Sequence, residues 1–102
     1  MKRTYEPEEW VLVQVGEDLV KVFGSWRGGY TSGDSWRMNS GIEKVEEDED
    51  HWLFIGHSGS VYKCHKGHYR ITSPHNNGVL AGADLAPMKY AAALRFIKSK
   101  IV

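Results

Sequence analysis

Along most of the chain, short runs rich in Val, Trp, Phe, Tyr and Ile alternate with clusters of Gly, Ser, Asn and Asp, which is a β pattern. The first run, WVLVQV at 10–15, turns through Gly16, Glu17 and Asp18 into LVKVFGSWR at 19–27. The loop GGYTSGD leads into a strand that begins with SWRMN at Ser35. A further strand, ending near Glu46, passes through the acidic turn EDED into HWLFIG at 51–56. This last run is apolar at Trp52, Leu53, Phe54 and Ile55 without alternation, which places it centrally in a sheet. The turn GHSG leads to SVYKCH, a two-residue turn at Lys66 and Gly67 leads to HYRIT, and SPHNNG follows as a loop.

Towards the C-terminus the period changes, and Tyr90, Leu94, Ile97 and Ile101 recur at helical spacing. Asp84 is placed to cap this helix and Pro87 falls in its first turn, where a missing N–H costs little. Alanines at 91, 92 and 93 favour the helix, and the late Lys and Arg suit its negative end. The pattern as a whole predicts an α+β fold. It is an antiparallel meandering β-sheet of about five or six strands with one C-terminal α-helix packed on a face, residues 1–102 forming a single domain.

Two hairpins carry the informative side chains. Folded about Thr31, the first sets Trp26 opposite Trp36, so that Val20, Val22, Trp26, Trp36, Met38 and Ile42 share an apolar face. Lys21, Ser25, Arg27, Ser35, Arg37 and Asn39 then share a polar one, with Phe23 as the exception. Past Asn39 the alternation blurs, and Ser40 and Gly41 mark a bulge. The second hairpin, KCHKGHYR at 63–70, raises the question of a metal, since Cys64, His65 and His68 are all good ligands. Strand parity answers against it. Cys64 shares a face with Tyr62, Tyr69 and Ile71, whereas His65 and His68 share the opposite face with Lys63 and Arg70. No second ligand pair such as CxxC or HxxxH is present.

Charge narrows the function. The 13 basic and 13 acidic side chains cancel, so net charge does not favour nucleic acid. Their distribution is uneven: EKVEEDED at 43–50 holds six acids and one lysine, while Lys89, Arg95, Lys98 and Lys100 follow Asp84 with no acid among them. One cysteine cannot form a disulfide within the chain, which fits a reducing cytoplasm. The basic start MKRTYEPEEW has no apolar h-region, and no apolar run approaches the ~20 residues of a membrane helix. No GxSxG, HExxH, P-loop or dinucleotide fingerprint occurs.

These features predict a soluble, cytoplasmic, homo-oligomeric, non-catalytic binding module with no cofactor, no metal and no membrane partner. Its ligand-binding residues are Trp26, Arg27, Tyr30, Trp36, Arg37, Lys63 and Arg70, and its ligand is anionic or aromatic, held by guanidinium and indole groups. The alternative is a protein-interaction regulator or inhibitor that docks a basic partner on Glu46, Glu47, Asp48, Glu49 and Asp50. A third reading is a small hydrolase using His57, beside Ser58 in the loop GHSG.

Overall fold

The computed structural model describes residues 3–28 and 33–101. The described elements are β1 (Thr4–Tyr5), β2 (Glu9–Val15), β3 (Leu19–Trp26), β4 (Ser35–Met38), β5 (Ile42–Glu47), β6 (His51–Gly56), β7 (Val61–His65), α1 (Pro74–Gly82) and α2 (Tyr90–Lys100). The class is α+β, as the sequence predicts, but the strands form two sheets rather than one meander. One sheet has the order β1-β7-β6-β5 and the other β2-β3-β4. The pairings are antiparallel except that of β1, which runs parallel to β7. As expected, β6 is central to its sheet.

The sheets separate because β2 and β3 are apolar on both faces and need two covers. Their even-numbered side chains, Trp10, Leu12, Val20 and Val22, pack against Val45, Trp52, Phe54, Tyr62 and Cys64 of the other sheet, with Ala93 and Ile97 of α2 closing the same core. The odd-numbered Val11, Val13 and Phe23 form a second core with Leu80 of α1. The chain changes sheets between β4 and β5 at Gly41, whose φ of +133° suits glycine. A Cβ there would lie 2.6 Å from Leu19 Cδ1. The expected bulge at 40–41 is therefore the crossing between the two sheets.

α1 occupies the segment SPHNNG, which reads as a loop because Asn and Gly are weak helix formers. Its start follows ordinary rules: Ser73 caps it by accepting from the Asn76 N–H, and Pro74 opens the helix. Tertiary contacts then hold it, through Leu80 in the second core. Asp84 does not cap α2. It ends α1 in the left-handed conformation at φ 58°, with Leu85 N–H donating to Leu80 O (2.9 Å) and Asp84 N–H to Ala81 O (3.0 Å). Residues 85–89 then run as a strap along β2, where Met88 N–H donates to Leu12 O (2.8 Å). α2 accordingly begins at Tyr90, past Pro87. Its buried face centres on Ala93 and Ile97, while Tyr90 and Ile101 stay exposed. No helix among the described residues is long and apolar enough to cross a membrane.

Candidate functional site

The β3–β4 hairpin differs from its predicted register by one residue. Trp26 pairs with Ser35, and Trp36 pairs with Ser25, so the two indoles point to opposite faces. The slip removes the Phe23 exception. Phe23 is buried on the α1 side with Met38 as its cross-strand partner, and the Trp36 ring stacks on it at 5.4 Å and 10°. Trp36 is nevertheless 43% exposed. On the other face Arg37 lies over the Tyr5 ring, its guanidinium carbon 4.6 Å from the centroid. Trp26 shares that face and donates from Nε1 to Glu6 O (3.1 Å). The segment before β2 can come this close because Gly24 has no Cβ, which would sit 2.9 Å from Pro7 Cβ.

Beside the hairpin, two polar networks join β2, β3 and the start of α1. In the first, Arg27 Nη2 donates to Thr72 Oγ1 (2.6 Å), which donates to Glu9 Oε1 (2.7 Å), and Arg70 Nε donates to Glu9 Oε2 (2.9 Å). In the second, Ser73 Oγ donates to Asp34, and Asn76 Nδ2 donates to Ser25 Oγ (2.7 Å) and Ser35 O (2.8 Å). Burial alone would raise the Glu9 carboxyl, but hydrogen bonds from Thr72 and Arg70 and the Arg70 charge hold it below its ordinary value. The Ser73 hydroxyl, then the Gly28 N–H, hold Asp34 below its ordinary value.

Both carboxylates therefore contribute stability that is full above their unfolded values, 4.5 for Glu9 and 3.8 for Asp34, and lost as the pH falls through the depressed ones. Glu9→Gln with Asp34→Asn should lower stability at neutral pH and flatten its decline in acid. Urea midpoints followed from neutral pH to about pH 2 check this, and an acid limb as steep as that of wild type would contradict it.

The predicted cationic residues do not share one sheet face. Arg27 and Arg70 meet around Glu9 and Thr72, and Glu8 also accepts from the Arg27 N–H (2.9 Å). Arg37 lies on the opposite side of the hairpin. Lys63 belongs to the other sheet, pairs with Leu53 rather than Arg70, and has Glu6 at 4.0 Å. Tyr30 lies outside the described residues. In the acidic segment, residues 46–50 are all exposed. Glu46 faces Lys44 at 3.8 Å, Glu47 faces Lys66 at 2.6 Å and Asp48 faces His51 at 3.3 Å.

KCHKGHYR is not a hairpin. After the turn at Lys66 and Gly67 the chain does not return along β7; Tyr69 pairs instead with Trp10 of β2. The parity of Cys64 and His65 still holds. Cys64 is fully buried in the first core, where desolvation pushes its thiol well above the ordinary range. His65 stacks on His68 at 4.2 Å, and His51, 14 positions before His65 in the chain, meets it edge-on at 5.3 Å. Among the described residues no group of three or more His, Cys, Asp or Glu side chains is placed to hold a metal ion.

The histidine of the hydrolase reading is exposed. Its backbone N–H donates to Gly41 O (3.1 Å), and the neighbouring Ser58 backbone N–H donates to Ser40 Oγ (3.2 Å). Among the described residues the His57 imidazole has no hydrogen bond to either serine hydroxyl, so a base and a nucleophile are not joined here.

Sequence reading missed Asp34, Ser73 and Asn76. The Ser-Pro pair at 73–74 is a helix-start signal that could have pointed to α1 and hence to Asn76 at its third position. Nothing local shows that Asn76 meets Ser25, 51 positions away. Comparison of the chain with protein-family models, with curated proteins and with solved structures finds no match.

Proposed function

We propose that the protein is a non-catalytic interaction module that takes a protein partner on the β3–β4 hairpin, with Trp36 as the anchor. The observation that carries this reading is the exposed Trp36 indole, stacked flat on buried Phe23 at the rim of the second core. A large aromatic held rigid by its neighbour offers contact area at little entropic cost, and Trp is enriched among residues that dominate binding energy. An aromatic or apolar partner suits this surface better than a free anion does, because Arg37 is engaged with Tyr5 and Arg70 with Glu9. The lone buried cysteine supports a cytoplasmic setting.

The acidic segment supports a second docking reading, in which exposed Glu46, Glu47, Asp48, Glu49 and Asp50 meet a basic surface. Quantitative capture from host extract separates the two. Trp36→Ala should leave the fold intact and weaken capture of the partner by at least about 30-fold, the scale of a buried Trp anchor. Unchanged capture by Trp36→Ala, with loss on neutralising 46–50, would move the site to the acidic segment.

A further inference from the structure

We infer that the partner is a second copy of this chain, paired antiparallel through β4 with Arg37 on the two-fold axis. This rests on the hairpin reading above and names its occupant. A sheet edge left open is a template for another strand, and folded proteins usually cover it. Here two of the four edges are covered and a third is minimal. The β2 edge is covered by Tyr69, Pro87 and Met88, and the β5 edge by Ile101. The β1 edge is only two residues long. The β4 edge has no such cover among the described residues.

Ladder parity shows what this edge presents. Asn39 N–H donates to Val22 O (3.2 Å), so residues 35 and 37 also turn their backbone groups towards β3. The outer edge of β2 gives the same answer from the other side. Trp10 and Leu12 bond away from β3, which leaves the even residues of β3 to bond with β4. The N–H and C=O of Trp36 and Met38 therefore point outward, without a backbone partner among the described residues.

These four groups are self-complementary. With two β4 strands antiparallel about Arg37, Trp36 of each copy bonds Met38 of the other, and every outward group is paired. Opposed residues share a face, so each Trp36 ring meets the other copy's Met38 on the α1 side, a favourable sulfur–aromatic contact. The two Arg37 side chains oppose each other on the other face. Each is already drawn over its own Tyr5, and their mutual repulsion is of the kind that salt screens. The product is one continuous six-stranded sheet with both α1 helices on the same face. A four-residue edge is small beside a standard interface, so association should fall in roughly the 0.1–1 mM range.

Sedimentation and disulfide trapping test the inference. The mass of wild type should rise from monomer to dimer with concentration, and association should tighten as salt is raised. A head-to-tail contact between the acidic turn and the basic C-terminal helix would instead weaken in salt. Trp36→Ala should weaken association at least about 30-fold, the same scale as for capture by this anchor, because each dimer loses the contact twice. Arg37→Cys should form a covalent dimer on oxidation, since opposed residues at a non-hydrogen-bonded site lie within disulfide reach. Ser35→Cys should not, because its two copies are four positions apart along the strands.

A wild-type monomer throughout this range would overturn the inference, as would equal cross-linking of the two cysteine variants or a dimer indifferent to Trp36. A monomer whose capture of another protein still depends on Trp36 would overturn the second copy alone. Capture indifferent to Trp36 would remove the hairpin reading itself.

Discussion

Trp10→Ala should lower the unfolding free energy by about 3–5 kcal/mol, the range for deleting a fully buried large aromatic. Against the 5–15 kcal/mol of an ordinary domain, that leaves the protein close to unfolding. Trp10 is 0% exposed and reaches from β2 of one sheet to Phe54 of the other. Its ring lies 5.2 Å from Phe54 and meets Tyr69 edge-on at 4.9 Å. Its backbone N–H donates to His68 O (3.2 Å) and its Nε1 to His65 O (2.7 Å). One side chain thus fills the space between the sheets and also ties β2 to the end of β7. Trp10→Phe separates the two roles: it keeps most of the packing and removes the indole donor, while His65 O still accepts from the His68 N–H (3.1 Å), for a smaller cost of about 0.5–1.5 kcal/mol. Urea denaturation of the three proteins measures both. A loss below about 2 kcal/mol for the alanine variant would mean that the sheets are held together elsewhere.

Asn76→Ala should cost about 1–3 kcal/mol, although the residue removed is polar. The side chain is 0% exposed, and its Nδ2 serves Ser25 Oγ and Ser35 O. Truncation leaves the buried Ser25 Oγ without this donor, and a buried polar group without a partner carries its full desolvation cost, whereas Ser35 is exposed and its O can turn to water. It also unlinks α1 from β3 and β4, the strands that hold Trp36. Asn77→Ala is the control. Its Nδ2 bond to Ile71 O (2.9 Å) is exposed, so water replaces it at a cost below about 1 kcal/mol. Ser25→Ala with Asn76→Ala should cost less than the sum of the single changes, because the second removes a partner already lost. Additive losses would show that Asn76 acts through something other than Ser25.

The strands whose own side chains carry the core pattern were legible in the sequence. β2, β3, β6 and β7 are found close to their predicted positions, and Cys64 and His65 diverge as strand parity requires. The register of β3 with β4 was not legible. The predicted register puts both tryptophans of the SWR pair on one apolar face and the observed register puts them on opposite faces, and the choice depends on which faces are covered. With sheet on one side and α1 on the other, Phe23 and Val22 can both be buried, and the register shifts to pair Phe23 with Met38. α1 was hidden for a related reason. PHNNGVLAG has weak helix propensity, and its stability comes from Leu80 and Asn76, which meet β2, β3 and β4 only after folding.

By itself, the sequence determined the α+β class, the central position of β6, the helical C-terminus and the separation of Cys64 from its neighbouring histidines. Those features follow from periodicity and parity, which are local properties of the backbone. Only the tertiary structure decided that the strands form two sheets, that Arg70 bonds Glu9 directly and Arg27 through Thr72 while Arg37 and Lys63 lie elsewhere, and that β4 has no strand on its outer edge among the described residues, beside an exposed Trp36. Each of these depends on which distant segment covers a face or an edge, and that is set by the packing of the whole chain, because every strand face and every backbone group competes for the same few partners.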